Sequence, residues 1–352
     1  MLYLTLIIAA MVAASAAGAY LKHRTLTMYA GLVTALTVLF LLFGGADGAW
    51  FFIKLVGILI VAALASFAFR EILALILSED GAREIRKAPL TASFGMLMVL
   101  LYAVAGIFAP WIAPYGEAEV IASAFAPADE NMLLGADQLG RDMFSRLVFG
   151  ARNSVGIALA ATILAFVAGA LAGLFAAVSG GYMDQILGRS ADLLMSIPSL
   201  IFSLLMLSIF GTGILVIVVV IAVIYSPRVY RLTRAVAGNV VVMDYVEASK
   251  LRGERPWYIV RRDVLPNTTA PLVAEFGLEF CFVFLLVAGL SFLGLGIQPP
   301  TADWGSMVRE NATMISFGEF TPLIPAAAIS LLTVSVNFVV DWMLHRSSGL
   351  KE

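Results

Sequence analysis

The fold class this sequence predicts is an all-α polytopic membrane protein, and three observations predict it. Mean hydropathy is +0.97 and only 13% of the residues are charged, against about a quarter in ordinary soluble domains. The apolar runs are long enough to cross a bilayer at about twenty residues each. They are rich in Leu, Ile, Val, Ala, Gly and Met, without the period-two alternation of an outer-membrane barrel strand. The net charge of -2 excludes little, because membrane orientation follows where Lys and Arg fall rather than their sum.

The elements follow in order. Residues 2–20 form an apolar run leading into small residues, which imitates a signal peptide; the basic n-region is missing, however, and Lys22-His23-Arg24 comes after the run. That arrangement reads as a retained helix with the N-terminus outside. Further spans are expected at 27–45, 50–69, 92–113, 153–178, 190–210, 212–228, 269–292 and 322–344, nine in all. Alternating them places Lys22-His23-Arg24, Arg83-Arg86-Lys87, residues 229–267, His345-Arg346 and the tail 347–352 on one side, which the Lys and Arg bias makes cytoplasmic. The turn GGADGA, segment 114–152 and segment 296–321 fall outside, where Trp111 and Trp304 suit a water interface. Residues 114–136 are acidic, with Glu117, Glu119, Asp129 and Glu130.

SEDGAREIRKAPL (78–90) breaks the apolar character. It reads as a cytoplasmic connector between three additional helices in 1–77 and a six-helix domain in 91–346, with Arg70-Glu71 marking where the third helix leaves the bilayer. The leading helices suit a lipid-facing annex, a dock for an accessory subunit or an assembly device, and the sequence does not choose among them.

No catalytic constellation is expected. Cys281 is the single cysteine, and His23 and His345 are far apart, so neither a disulfide nor a zinc or haem site is expected. The sequence has no GxxxxGK[ST] phosphate loop, no GxSxG elbow and no HExxH helix. This chain should bind no cofactor, perform no ATP hydrolysis by itself and engage no nucleic acid.

DYVEASKLRGERPWYIVRRDVLPN (244–267) is the exception to the greasy composition, with nine charged residues. Few breakers interrupt 232–251, Gly253 offers a helix stop and Pro256 suits the first turn of another helix. The expectation is a helix, a bend and a second helix, forming a rigid protrusion. Tyr245, Ala248, Ser249 and Arg252 share one face by three- and four-residue spacing, and Glu247, Lys250 and Arg252 flank the small residues as a rim. On composition the segment is either a docking element or a solvated basic loop obeying the positive-inside rule.

The same stretch resembles the cytoplasmic signature loop of binding-protein-dependent ABC importer permeases, EAA, three residues, Gly, nine residues, Ile, one residue, Leu-Pro. Here it reads Glu247-Ala248-Ser249, Gly253, Asp263-Val264-Leu265-Pro266. The spacing is intact, with Ser at the third alanine and Asp263 at the isoleucine. LLGADQLGRDMFSRLVFGARNSV (133–155), DLLMSIPSL (192–200), VLPNTTAPL (264–272) and SFLGLGIQPPTADWG (291–305) resemble, in order and at its spacing, the C-type subunit of the dipeptide, oligopeptide and nickel branch. The resemblance spans about residues 83–346. It implies a type I six-helix permease core in a bacterial inner membrane. It also implies a second permease subunit, two cytoplasmic ATPase subunits carrying ATP and Mg, and an extracytoplasmic substrate-binding protein. Tyr245, Glu247, Ala248, Ser249, Arg252 and Gly253 would then couple to an ATPase, and Asp137, Gly140, Arg141 and Asp142 would lie where the binding protein docks, unless that region only seals the bundle.

Several residues remain to be placed. Gly135 and Gly140 permit tight turns, and Asp137 suits the cap of the short helix suggested by RDMFSR. Gly169 and Gly173 suit close helix packing, and Pro198 should kink its helix. Met195, Ser196 and Pro198 are candidates for lining the pathway. Glu275 and Glu279, one turn apart on a span, either line the path and favour cationic groups or pair with Arg228 or Arg231. Related permeases often carry an acid nearer SFLGLG, where this sequence has Val287, so a substrate preference does not carry over. The rival function is an ion-coupled secondary transporter using Glu275, Glu279 or Asp341.

Overall fold

The computed structural model describes residues 53–348 together with Thr37. They fall into two compact units that divide between Leu90 and Thr91. The spans expected at 2–20 and 27–45, with Lys22-His23-Arg24, lie outside the described residues. Among the described residues, six helices are long and apolar enough to cross a membrane, or seven if one sharply bent pair counts as a single span.

In the first unit, α1 runs Ile53–Ile76 and α2 runs Glu79–Lys87. Helix α1 continues past Arg70-Glu71, where the sequence suggested an exit from the bilayer, because those charges are met locally. Arg70 pairs with Glu71 at 3.5 Å and lies 4.9 Å from the centre of the Phe67 ring, and Arg86 pairs with Glu71 at 3.1 Å. In α2, acids in the first turn and bases in the last complement the helix dipole.

The second unit begins with α3 (Leu90–Ile107) and the short α4 (Ala109–Ile112). After an irregular segment, α5 (Met143–Gly150) passes through a π turn at Ala151–Val155 into α6 (Gly156–Ser179). Then come α7 (Gly181–Met195), α8 (Ser199–Phe210) and α9 (Ile214–Val241). The charged insert supplies α10 (Asp244–Leu251) and α11 (Pro256–Ile259), which feeds through a second π turn at Val260–Val264 into α12 (Leu265–Phe292). Helix α13 (Trp304–Asn311), a 3-10 turn and α14 (Leu323–Ser348) complete the unit.

Apolar side chains gain little by leaving lipid for protein, so close packing must hold the spans together. Small residues supply it. A Cβ on Gly169 would collide with the Ser226 carbonyl oxygen, and one on Gly173 would lie 2.7 Å from the Tyr230 carbonyl oxygen. The pair is thus the seam along which α6 and α9 touch backbone to backbone. Gly95 admits the Ser335 carbonyl of α14 to α3 in the same way, and Gly277 admits Val340 to α12. Helix α12 is the centre of the unit: 56% of its most apolar window is buried, more than in any other described span.

Candidate functional site

The charged insert forms two short helices, but its first one is divided. Helix α9 continues to Val241 and breaks at Val242-Met243, where Met243 turns extended (ψ 145°), before α10 begins. A run of three valines at 240–242, each restricted at χ1, suits that break. Helix α10 ends in a Schellman motif: the Gly253 amide donates to Lys250 O at 2.9 Å, the Glu254 amide donates to Ser249 O at 3.2 Å, and Gly253 has φ +78°. A side chain there would meet nothing within 4 Å, so the backbone angle, and not space, requires glycine.

Val246 and Ser249 face inward. Val246 packs with Ile259, Val260 and Val264 against Leu174, Val178 and Ala237 of α6 and α9. Ser249 is buried and accepts from Arg252 at 2.7 Å, which corrects its placement on the outer face. Tyr245, Glu247, Ala248, Arg252 and Gly253 are exposed, alongside Leu251, which is 84% exposed, and Trp257. The result is a protrusion seated rigidly on two spans and carrying an uncovered, partly apolar outer face.

The sequence block 133–155 folds around a buried ionic cluster. Arg141 donates to Asp137 at 2.7 Å and to Glu310 at 2.9 Å; Arg146 pairs with Asp137 at 3.3 Å and donates to the Glu117 carbonyl at 2.9 Å. Glu117 also accepts from the Ala302 amide and Asn153, at 2.8 and 3.1 Å. Asp142, not Asp137, caps α5, accepting from the Ser145 amide at 2.8 Å. Asp137 instead accepts from the Leu139 and Arg141 amides and holds the turn at Gly140, where a Cβ would strike the Ala122 carbonyl. Asp137, Gly140, Arg141 and Asp142 are all buried. Their side chains therefore build this segment from within.

Trp304 is likewise buried, packed edge-on to Tyr102 and Phe284, with its indole N–H donating to Leu147 O at 2.9 Å. It anchors 296–305 to α5 and does not sit at a water interface as expected; Trp111 is 77% exposed. Asp303 caps α13 through the Ser306 amide at 2.9 Å and accepts from Ser154 Oγ at 2.7 Å. Burial pushes the Asp303 carboxyl above its ordinary range, and the hydrogen bonds from Ser306 and Ser154 pull it partly back.

Helices α7 and α8 meet at 86° across Ser196-Ile197-Pro198. Met195, Ser196 and Pro198 are exposed at that corner, and Ser196 joins Arg189, Asp192 and Leu193 around an open depression. Asp184 of α7 binds Arg234 of α9 in a two-pronged pair. Glu279 is buried and pairs with Arg228 at 3.5 Å, while Glu275 is half-buried. Among the described residues no group of three or more His, Cys, Asp or Glu could hold a metal ion.

Residues 166–348 match the family model described as the binding-protein-dependent transport system inner membrane component. The chain belongs to this permease family. The permease is 35% identical over 254 residues to the di/tripeptide transport system permease protein DppC of Pseudomonas aeruginosa (strain UCBPP-PA14), covering 70% of this chain and 84% of the relative. To the probable D,D-dipeptide transport system permease protein DdpC of Escherichia coli (strain K12) it is 31% identical, covering 73% and 86%. To the dipeptide transport system permease protein DppC of Haemophilus influenzae (strain ATCC 51907 / DSM 11121 / KW20 / Rd) it is 32% identical, covering 71% and 87%. These relatives are permease components of ABC importers and not enzymes, and the permease described here is a multi-pass membrane protein of the same kind.

Sequence reasoning missed Arg146, Glu310, Glu117 and Asp303 as members of the outer cluster. Arg146 and Asp303 lie in quoted motifs, Glu310 just past one and Glu117 well before the first, and nothing along the chain says that these segments fold onto one another. The one usable signal was charge itself, and only at Arg146, which stands between Ser145 and Leu147 in a largely apolar helix; Glu310 is flanked by Arg309 and Asn311.

Proposed function

We propose that this permease is one half of a heterodimeric channel in an ATP-driven, binding-protein-dependent importer, with di- or oligopeptides or related small solutes as cargo. It works with a second permease, an extracytoplasmic binding protein and two cytoplasmic ATPase subunits that hold ATP and Mg. The observation that carries the reading is the α10–α11 protrusion: glycine-capped, clamped through Val246 onto the cytoplasmic ends of α6 and α9, and bare on its outer face. A partner that pushes on such an element moves the spans with it, because α9 leads into α10 and the second π turn leads into α12.

In this reading residues 1–77 are three additional helices, 91–346 are the six-helix permease, the N-terminus lies outside and the C-terminus lies in the cytoplasm. Tyr245, Glu247, Ala248, Arg252 and Gly253 meet the ATPase, with Ser249 supporting them from behind. The binding protein meets the outer surface shaped by Asp137, Gly140, Arg141 and Asp142. Met195, Ser196, Pro198 and Glu275 face the path. The relatives named for dipeptide and di/tripeptide transport support a peptide cargo.

Purification in mild detergent, identification of bound subunits and reconstitution test this directly. ATP-dependent, vanadate-sensitive uptake of a dipeptide that survives collapse of the ion gradient is expected. A chain that purifies alone, and whose uptake vanishes with the gradient, overturns the reading in favour of an ion-coupled transporter.

A further inference from the structure

Arg228 and Glu279 form an ion pair across α9 and α12 that packing alone does not explain. Glu279 is fully buried, yet neither carboxylate oxygen accepts a hydrogen bond. Its one compensation is the Arg228 Nε at 3.5 Å. Arg228 is 45% exposed and donates no hydrogen bond among the described residues, and its guanidinium lies 4.1 Å from the centre of the Phe282 ring. That ring is itself 43% exposed, and the backbone carbonyl of Phe282 accepts from Tyr225 of α9 at 3.2 Å.

Depth makes this costly. Arg228 is fourteen residues from the start of α9 and Glu279 thirteen from the end of α12, which at the helical rise puts both near the middle of long apolar helices, about 20 Å from either end. A permanently charged guanidinium at that depth cannot face lipid without a large penalty, so its open side faces water or a polar partner. The arrangement is directional. A sealed carboxylate lies at the Nε edge and an aromatic face supports the plane, leaving the two Nη groups with no hydrogen-bond acceptor among the described residues. A planar fork so presented fits a carboxylate in two-point contact.

We propose that Arg228 is a carboxylate-recognition point on the translocation path, with Glu279 and Phe282 as positioning residues, and that its ligand is the terminal carboxylate of the cargo peptide. This rests on the peptide-importer reading above. Glu279 then lies behind the path instead of lining it, since no cargo atom reaches a fully buried carboxylate. The favoured charge on the cargo at this point is negative, the opposite of what the acid alone suggested.

Saturation-transfer NMR on the purified assembly, without binding protein, tests it by titrating an unblocked dipeptide and its C-terminal amide. Wild type is expected to bind the free acid about tenfold or more tightly than the amide, the usual worth of a charged hydrogen bond. Arg228→Gln abolishes that preference, Arg228→Lys keeps part of it, and Glu279→Gln and Phe282→Leu weaken binding of the acid while leaving the amide unchanged. Equal affinity for acid and amide in wild type overturns the proposal. So does an unchanged preference in Arg228→Gln, and if that variant also loses the co-purifying second permease, the guanidinium belongs to a subunit interface. Failure of ATP-driven dipeptide uptake by wild type would instead sink the importer reading, so the two failures are distinguishable.

Discussion

At the scale of single residues, the structure separates backbone requirements from electrostatic ones. Gly253 is required by its φ of +78° and not by space. Gly253→Ala should therefore cost about 1–2 kcal/mol of local stability, the penalty of a left-handed L-residue, and Gly253→Asn less. Hydrogen exchange of the Glu254 amide, which closes the motif on Ser249, reads the difference. The coupling reading adds that a bulky residue here lets ATP turn over without uptake; unchanged transport in Gly253→Trp counts against it. Asp137 sits between Arg141 and Arg146, all three at most 3% exposed. Asp137→Ala leaves buried cations short of a partner and should cost about 3–5 kcal/mol, seen as a lowered melting temperature in detergent.

Asp303 gives a prediction with a sign. Its carboxyl is raised by burial, so the folded chain holds that proton more tightly than the unfolded chain does. The resulting stability is fully present below the ordinary carboxylate value of about 4 and is lost as pH rises through the folded value. The melting temperature of wild type relative to Asp303→Asn should fall across that window, and a constant difference would show that Asp303 does not titrate there.

At the scale of elements, two contacts decide how motion would pass from the α10–α11 protrusion into the long apolar helices. The first is the α6–α9 seam at Gly169 and Gly173, where any Cβ meets backbone. Gly173→Leu should force the helices apart at about 1–3 kcal/mol or more, read as loss of folded protein on size exclusion. The second is the inward face of α10, where Val246 is buried against both spans. Outer-face changes such as Ala248→Trp should leave the fold intact and abolish ATP-driven uptake, whereas Val246→Asp should unfold the protrusion. The 86° corner at Ser196–Pro198 follows from proline's missing amide and fixed φ; it also explains why the run 190–210 looked like one span in hydropathy and is two helices in space.

At the scale of the whole molecule, orientation is the property most open to direct test. Cys281 is buried, so an introduced thiol reports against a quiet background. Glu247→Cys should react with a membrane-impermeant reagent only from the cytoplasmic side, and Glu130→Cys only from the outside. Reaction of both from one side would refute the alternation of spans on which that orientation rests.

The sequence by itself determined what depends on composition and on neighbours along the chain. Hydropathy located every described apolar helix, because bilayer thickness sets a length that such a helix must meet, but it missed the helical extensions to Val241 and back to Pro256. Pro198, Gly253 and the GxxxG pair announced a bend, a cap and a seam, because each acts through local backbone geometry. Tertiary structure alone decided which polar residues are inside. Arg141 meets Glu310 from 169 residues away and Ser154 meets Asp303 from 149, and a side chain read as a surface contact becomes a core residue once such a partner arrives. Trp304 and Ser249 changed their reading for the same reason, and of the two roles open to Glu279 burial selected the pair with Arg228: burial belongs to the assembled bundle, whereas the preference for membrane or water can be read one segment at a time.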